Sequence, residues 1–380
     1  MRNLSDKVSG LAPSATIEIS NRARQMQRGG IDVISLSIGE PDFDTPLHIR
    51  DACISALMRG ETHYAPSNGI PELLEAIAGK IEAENAFSCA PEQVIVTCGA
   101  KSAIYEAAEA VLNPGDEVII LDPSWVSYEP IVRIAGGRPV HHLLSTDTFQ
   151  PDDSLQERVT PRTRMIVINS PSNPSGAVLE KKSLKLLADL CEDYDIFAVS
   201  DEIYEKLTYG KEHVSLASIG DMAGRCITVN GFSKAYAMTG WRLGYAVAPP
   251  EIIREMSKVQ QHTVSHPTTF AMYGGVAALV GDQSCVEIMR KEFRKRRDFL
   301  VAELRLMGFF VAPEDGAFYA YVRVDGDDVD VARRWLEKGR VAVTPGSAFN
   351  TPGWERISYA TSMERLEDAV ARIRVCQRTS

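Results

Sequence analysis

Lys234 stands in the stretch VNGFSKAYAMTGWRLGY, Val229 to Tyr245, straight after Ser233 and eight residues before Arg242. A lysine among small and apolar residues is either a snorkelling surface side chain or a desolvated amine, whose lowered pKa makes it a nucleophile. The local stretch leaves both readings open. Other residues with chemical capacity recur at the ends of apolar runs. Gly99-Ala100-Lys101 follows QVIVT, Asp122 and Trp125 follow EVIIL, Asn173 follows RMIVINSPS, and Asp201 and Tyr204 close IFAVSDEIY. Each has a bland explanation: a tight turn for Gly99, core packing for Trp125, a helix N-cap for Asp201, a turn before proline for Asn173. Their recurrence at successive runs argues for a shared purpose.

The elements that must position them follow from periodicity. Short β-rich apolar runs alternate with helical patterns such as CGAKSAIYEAAEAVL, stopped by Asn-Pro-Gly-Asp, which is the signature of a parallel α/β sheet. RLGYAVAP reads as one more short strand, and a helix runs toward Cys191. In open sheets of this kind ligands bind beyond the carboxyl ends of the strands, where these residues fall. After about Gly281 the pattern changes to a long charged helix and strands around GAFYAYVRV and RISYA. The expected division is a large domain, 46–280, and a smaller α+β domain formed by 1–45 with 281–380.

Composition narrows the function classes. The 380 residues are 44% hydrophobic with a net charge of −10, enough for a large core and unsuited to nucleic acid or an anionic membrane as main partner. The densest basic run, RKEFRKRR at Arg290 to Arg297, is threaded by Phe293, Leu300 and Leu304 at helical spacing and reads as a solvated helix face. Seven scattered cysteines without a C-x-x-C pair fit reduced thiols in a cytoplasm, with no disulfide frame and no metal site. The N-terminal stretch has no apolar signal region, and no run of membrane-spanning length occurs. Neither G-x-G-x-x-G nor G-x-x-x-x-G-K-[ST] is present, which removes the common dinucleotide and P-loop readings.

A single ligand that needs an amine, an anion site, an aromatic platform and a carboxylate is pyridoxal phosphate. Its aldehyde forms a Schiff base with a lysine, and its ring nitrogen wants an acidic partner. Lys234 supplies the amine and Asp201 the acid. Gly99 and Ala100 open a helix whose free N–H groups favour phosphate, assisted by Ser233 and Arg242. Trp125 offers a face for the ring, and Asn173 and Tyr204 can donate to its phenolic oxygen.

NSPSNPSG, SDEIY and NGFSKAYAMTGWRLGY together resemble the class I/II aminotransferases of the aspartate aminotransferase fold. PSAT at 13–16, GEPDFDTP at 39–46, YAPSNGIPELLEAI at 64–77 and RISYA at 356–360 extend the likeness over nearly the whole chain. The resemblance implies a fold-type I enzyme: a mostly parallel seven-stranded sheet flanked by helices, plus a smaller α+β domain. It implies transfer of an amino group between an L-amino acid, foremost aspartate or glutamate, and a 2-oxo acid such as 2-oxoglutarate or oxaloacetate. Lys234, Asp201 and Tyr204 would be catalytic, with Lys234 moving the proton. Arg356 would fork onto the substrate α-carboxylate beside Gly39, Asn173 and Trp125. Lys101, near the phosphate turn, is the candidate for the distal carboxylate, with Ser14 and Thr16 as helpers. Tyr64 would reach the phosphate of a neighbouring subunit, which implies a homodimer. One departure is Ala12, where close relatives that accept prephenate carry a basic residue; this argues against prephenate. Aromatic, alanine or broad-specificity transamination, or a lyase of the same fold, would keep every cofactor residue.

Overall fold

Runs of β-branched and aliphatic residues punctuated by Gly, Pro and Asn form the strands of this computed structural model, which describes residues 5–10 and 15–378. Seven of them make the main sheet: β2 (Val94–Thr97), β3 (Glu117–Asp122), β4 (Arg138–Leu143), β5 (Thr163–Asn169), β6 (Phe197–Asp201), β7 (Cys226–Gly231) and β8 (Gly244–Val247), in the order β2-β8-β7-β6-β5-β3-β4. All neighbours pair in parallel except β8, which runs antiparallel to both β2 and β7. Register places Asn169 opposite Asp201 and Asp201 opposite Val229, so the carboxyl ends of β5, β6 and β7 finish side by side. Continuous burial along β2, β3, β7 and β8 matches a sheet covered on both faces.

Sequence periodicity missed β4. Its residues RPVHHL contain a proline, an arginine and two histidines, and it is one of the two edge strands, partly exposed along its length. An edge strand need not carry the apolar run that marks a central one.

The flanking helices bury the faces their spacing foretells. Ala100–Val111 buries Ala103, Ile104, Ala107, Ala108 and Val111, and Lys181–Asp193 buries Leu184, Leu187, Ala188 and Cys191. Full burial of each large aliphatic side chain contributes about 1.5–3 kcal/mol. Two smaller sheets complete the chain. β1 (Ile34–Ser35) pairs in parallel with β10 (Val341–Ala342), while β9 (Tyr319–Arg323), β11 (Thr344–Pro345) and β12 (Trp354–Ser358) form an antiparallel sheet in the order β11-β12-β9. Ile34, Leu36, Phe293, Leu300, Leu304, Tyr319 and Ile357 share one core, and Ile203 and Tyr204, just past the end of β6, reach into it.

On the helix Ser284–Leu306 the basic run meets the expectation of a solvated face at Lys291, Arg294 and Lys295, which are exposed, while Arg296 departs from it. Arg296 is only 5% exposed; it pairs with Asp42 at 2.6 Å and Glu292 at 3.0 Å, and its guanidinium lies over the rings of Phe43 and Phe293. A planar cation that stacks and forks can be buried where a charge run suggests solvent. Among the described residues no helix is long and apolar enough to cross a membrane.

Candidate active site

The aligned strand ends open into a cavity of about 390 Å³, lined among others by Lys234, Asp201, Tyr204, Ser233 and Arg242 from the large sheet and by Gly39, Tyr319 and Arg356 from the flanking segments. Ala100, Lys101, Trp125 and Asn173 also line it. Residues singled out at separate positions in the chain thus share one space. Ser14 lies outside the described residues, as does Ala12, and Thr16 falls in the helix Ala15–Arg28 where no side-chain position is described.

Lys234 follows the end of β7 and donates from Nζ to the Gly39 carbonyl at 2.6 Å, close to the rings of Tyr204 and Phe318. Burial pulls its pKa down to about 8, with Arg356 and Arg242 adding to the effect and Glu40 opposing it. An amine so placed is about a tenth neutral at pH 7 and half neutral near pH 8, far more than an ordinary lysine, and that free fraction is what nucleophilic and proton-carrying work requires.

Asp201 ends β6, 4% exposed. Burial raises its carboxyl to about 6 against the opposing hydrogen bonds from Tyr128 Oη at 2.7 Å and the Ile203 N–H at 3.3 Å. Neighbouring Glu202 is also fully buried but is consumed elsewhere, accepting from Ser200, Ser215 and His213. The two adjacent acids therefore differ in role through the partners around each.

On the anion side, Gly99 takes φ +85° and the helix Ala100–Val111 begins with no side-chain cap. A Cβ on Gly99 would stand 2.6 Å from Arg242 Nη2, and one on Gly244 would stand 2.4 Å from the Ala100 nitrogen. Both positions need glycine because backbone and guanidinium close on the same turn. Arg242 itself has φ +53° and donates to the carbonyls of Thr239 and Cys98.

On the opposite side, buried Arg356 donates from Nη1 to Asn173 Oδ1 at 2.8 Å and from Nη2 to the Ser37 carbonyl at 2.6 Å. Its guanidinium carbon lies 4.7 Å from the ring centroid of Tyr319 and 4.9 Å from that of Phe349, and Nε has no hydrogen-bond partner among the described residues. Tyr204 and Tyr319 share a 2.8 Å hydrogen bond, and the Tyr319 hydroxyl occupies the place a Cβ at residue 39 would need. Lys101 Nζ lies 4.8 Å from the centroid of Trp125; desolvation, then Arg242, lowers its pKa although the side chain reaches solvent. Tyr64 is not part of this cavity. It is 91% exposed, edge-on to His266 in a separate depression.

Three participants escaped sequence reading. Tyr128, three residues after Trp125, holds Asp201; Asn169 bridges the Asp201 carbonyl and the Asn173 N–H; Tyr319 pairs with Tyr204. Tyr128 and Asn169 lay inside or beside motifs already noticed, whereas Tyr319 looked like ordinary strand core. Asn21 and Arg24 also line the cavity, from a helix with no motif to mark them.

A buried carboxylate without an ionic partner, a neutral-leaning amine, an uncapped helix start faced by arginine, and a buried guanidinium with a free Nε fit a phosphorylated, cationic-ring aldehyde and a carboxylate beside it. The model of the family described as "Aminotransferase class I and II" matches residues 31–373, so the chain belongs to that family of pyridoxal-phosphate-dependent enzymes, which move an amino group between an amino acid and a 2-oxo acid. It is 44% identical over 380 residues to the aspartate/prephenate aminotransferase of Thermus thermophilus, covering 98% of each chain, and 42% identical over 384 residues to the aspartate aminotransferase of Bacillus subtilis, again over 98% of each. The solved structure of aspartate aminotransferase from Thermus thermophilus with maleate superposes with a TM-score of 0.96 at 44% identity, covering 99% of this chain and 100% of that one.

Proposed function

We propose that this aminotransferase acts on dicarboxylic amino acids, exchanging the amino group of aspartate or glutamate with 2-oxoglutarate or oxaloacetate. The observation that carries the reading is the cation arrangement of the cavity. Arg356 and Lys101 line it together with Lys234, so one cation is available for each carboxylate of such a substrate. The similar Thermus structure holds maleate, a dicarboxylate, which supports the same assignment.

Pyridoxal phosphate, when bound, supplies an aldehyde that captures amines and a ring that withdraws electrons from the substrate α-carbon. The chain's own groups divide the remaining work. Arg356, oriented by Asn173 and the Ser37 carbonyl, grips the α-carboxylate with Gly39 beside it. Lys234 Nζ takes and returns the α-proton, its lowered pKa keeping a free lone pair available. Asp201, held by Tyr128, stays ionised and retains a proton on the ring nitrogen. Tyr204 and Asn173 would hold the ring oxygen, Trp125 would serve the ring, and Gly99, Ala100, Ser233 and Arg242 would hold the phosphate. Lys101 receives the distal carboxylate.

The chain is further read as a large domain, 46–280, and a small one, 1–45 with 281–380. It acts as a cytoplasmic homodimer in which Tyr64 serves the partner's phosphate site. The exposure of Tyr64 away from its own cavity supports that arrangement. A second reading, prephenate as amino acceptor, rests on the name of the Thermus relative. Adding one amino acid at a time to the loaded enzyme and following the cofactor's absorbance tests the proposal. Aspartate and glutamate should react fastest; equal reaction with alanine or phenylalanine overturns the dicarboxylate reading.

A further inference from the structure

The helix Ala15–Arg28 packs through Ile19, Ala23 and Met26 against Val33, Leu336 and Ala342. Asn21 and Arg24, three residues apart and so on one helix face, are left on the wall of the active-site cavity. Among the described residues, no ion pair or hydrogen bond engages the Arg24 guanidinium, whereas nearby Arg22 bonds Gln25. An unspent fork on the wall of a site that handles anions calls for an anionic occupant.

The other cations of the cavity are committed. Arg356 is held by Asn173 and Ser37, Arg242 closes on the Gly99 turn, Lys234 reaches Gly39, and Lys101 rests over Trp125. Lys101 is thereby a stacked, partly desolvated point charge, while Arg24 offers a planar fork with several donors. We propose that Arg24, assisted by the Asn21 amide, is a specificity-determining residue that binds the distal carboxylate of dicarboxylic substrates together with Lys101. The inference rests on the dicarboxylate reading above and adds a second cation from a different part of the chain. Because Arg24 is solvent-exposed, its contribution is screened by salt, and discrimination against neutral side chains falls as ionic strength rises.

The test uses the cofactor-loaded enzyme and Arg24→Met, Arg24→Lys and Lys101→Met variants, with two readouts. The first is the dissociation constant of maleate against that of propionate, measured without turnover. The second is kcat/KM for aspartate against alanine at low and high salt. Loss of a charge-assisted contact in Arg24→Met should weaken maleate about tenfold and leave propionate nearly unchanged, with aspartate falling similarly relative to alanine. Arg24→Lys should retain part of the selectivity. Equal losses for both members of each pair, or none, overturn the role of Arg24. If Lys101→Met is then still selective, the dicarboxylate reading survives and Arg24 alone fails. A wild-type enzyme that prefers neither aspartate nor maleate overturns both.

Discussion

Tyr128 Oη donates a 2.7 Å hydrogen bond to Asp201 Oδ2, and both groups are buried. The bond works against burial, which otherwise drives the carboxyl toward its neutral form. Tyr128→Phe removes the donor while keeping the ring that packs edge-on against Trp125. The Asp201 pKa should climb further, and the acid limb of the kcat/KM profile should move to higher pH. Activity at pH 7 should fall about tenfold, the scale of one hydrogen bond to a charged group. An unmoved acid limb would reduce Tyr128 to packing.

Asp201→Asn separates function from stability. Its carboxyl rises from 3.8 to about 6 in the fold, so the ionised form is disfavoured there. The associated stability is fully present below the unfolded value and is lost as pH rises through about 6, an upper limit of about 3 kcal/mol. Cofactor-free Asp201→Asn should therefore melt higher than the wild type at pH 8 and alike near pH 4. Its turnover with cofactor should drop by roughly several orders of magnitude, since a preorganised charge is gone. Calorimetry at the two pH values and steady-state rates decide the matter; near wild-type turnover refutes the role.

Lys234 should be the residue that borohydride links to the cofactor, identified by peptide mass. Lys234→Ala should keep its fold and lose turnover. Because the amine titrates near 8, the rate at which cofactor-free protein captures pyridoxal phosphate should rise about fivefold from pH 7 to pH 8, following the neutral fraction. An adduct on another lysine, or a flat pH dependence, contradicts the assignment.

Arg356→Met and Lys101→Met should differ in kind. The first should penalise every amino acid, because all carry the α-carboxylate; the second should penalise aspartate and glutamate far more than alanine. Each lost charge-assisted contact costs about 1.5–3 kcal/mol. Comparing kcat/KM across the three substrates measures this, and a uniform penalty from Lys101→Met assigns that lysine to the turn instead.

A shared site can be tested with hybrids. Tyr64→Ala and Lys234→Ala should each be poor enzymes alone. Mixed from unfolded chains in equal amounts, half of the dimers are hybrid and one of their two sites is intact, so about a quarter of wild-type activity should return. No recovery from two inactive parents means that Tyr64 does not serve the neighbouring chain's site, and an active Tyr64→Ala enzyme places Tyr64 outside catalysis.

The sheet and its strand-end residues were legible because central strands announce themselves as apolar runs and polar residues immediately after them stand out. Asp201, Ser233 and Lys234 are read this way. The edge strand Arg138–Leu143 was not, since exposure lets it carry histidines and arginine. Tyr319 escaped because a tyrosine inside an apolar strand looks like core until Gly39 and Tyr204 are seen against its hydroxyl. Arg296 misled for the converse reason: five basic neighbours suggest solvent, whereas Asp42, 254 positions away, together with Glu292 and the rings of Phe43 and Phe293, explains its burial. Arg24 had no signal at all, because which face of a charged helix turns toward a cavity depends on contacts made with distant segments.

Arg356 meets the Ser37 carbonyl across 319 positions of chain and Asn173 across 183. The order of synthesis gives this separation a consequence. A nascent chain that has delivered residues through Val247 already possesses the lysine, the aspartate, the anion cradle and the strand β8 that joins β2 to β7, while the strand carrying Arg356 has yet to emerge. Closing loops of such length is among the last and slowest steps of assembly. A ribosome-bound or C-terminally clipped chain can therefore become competent to hold its cofactor before it can hold a substrate.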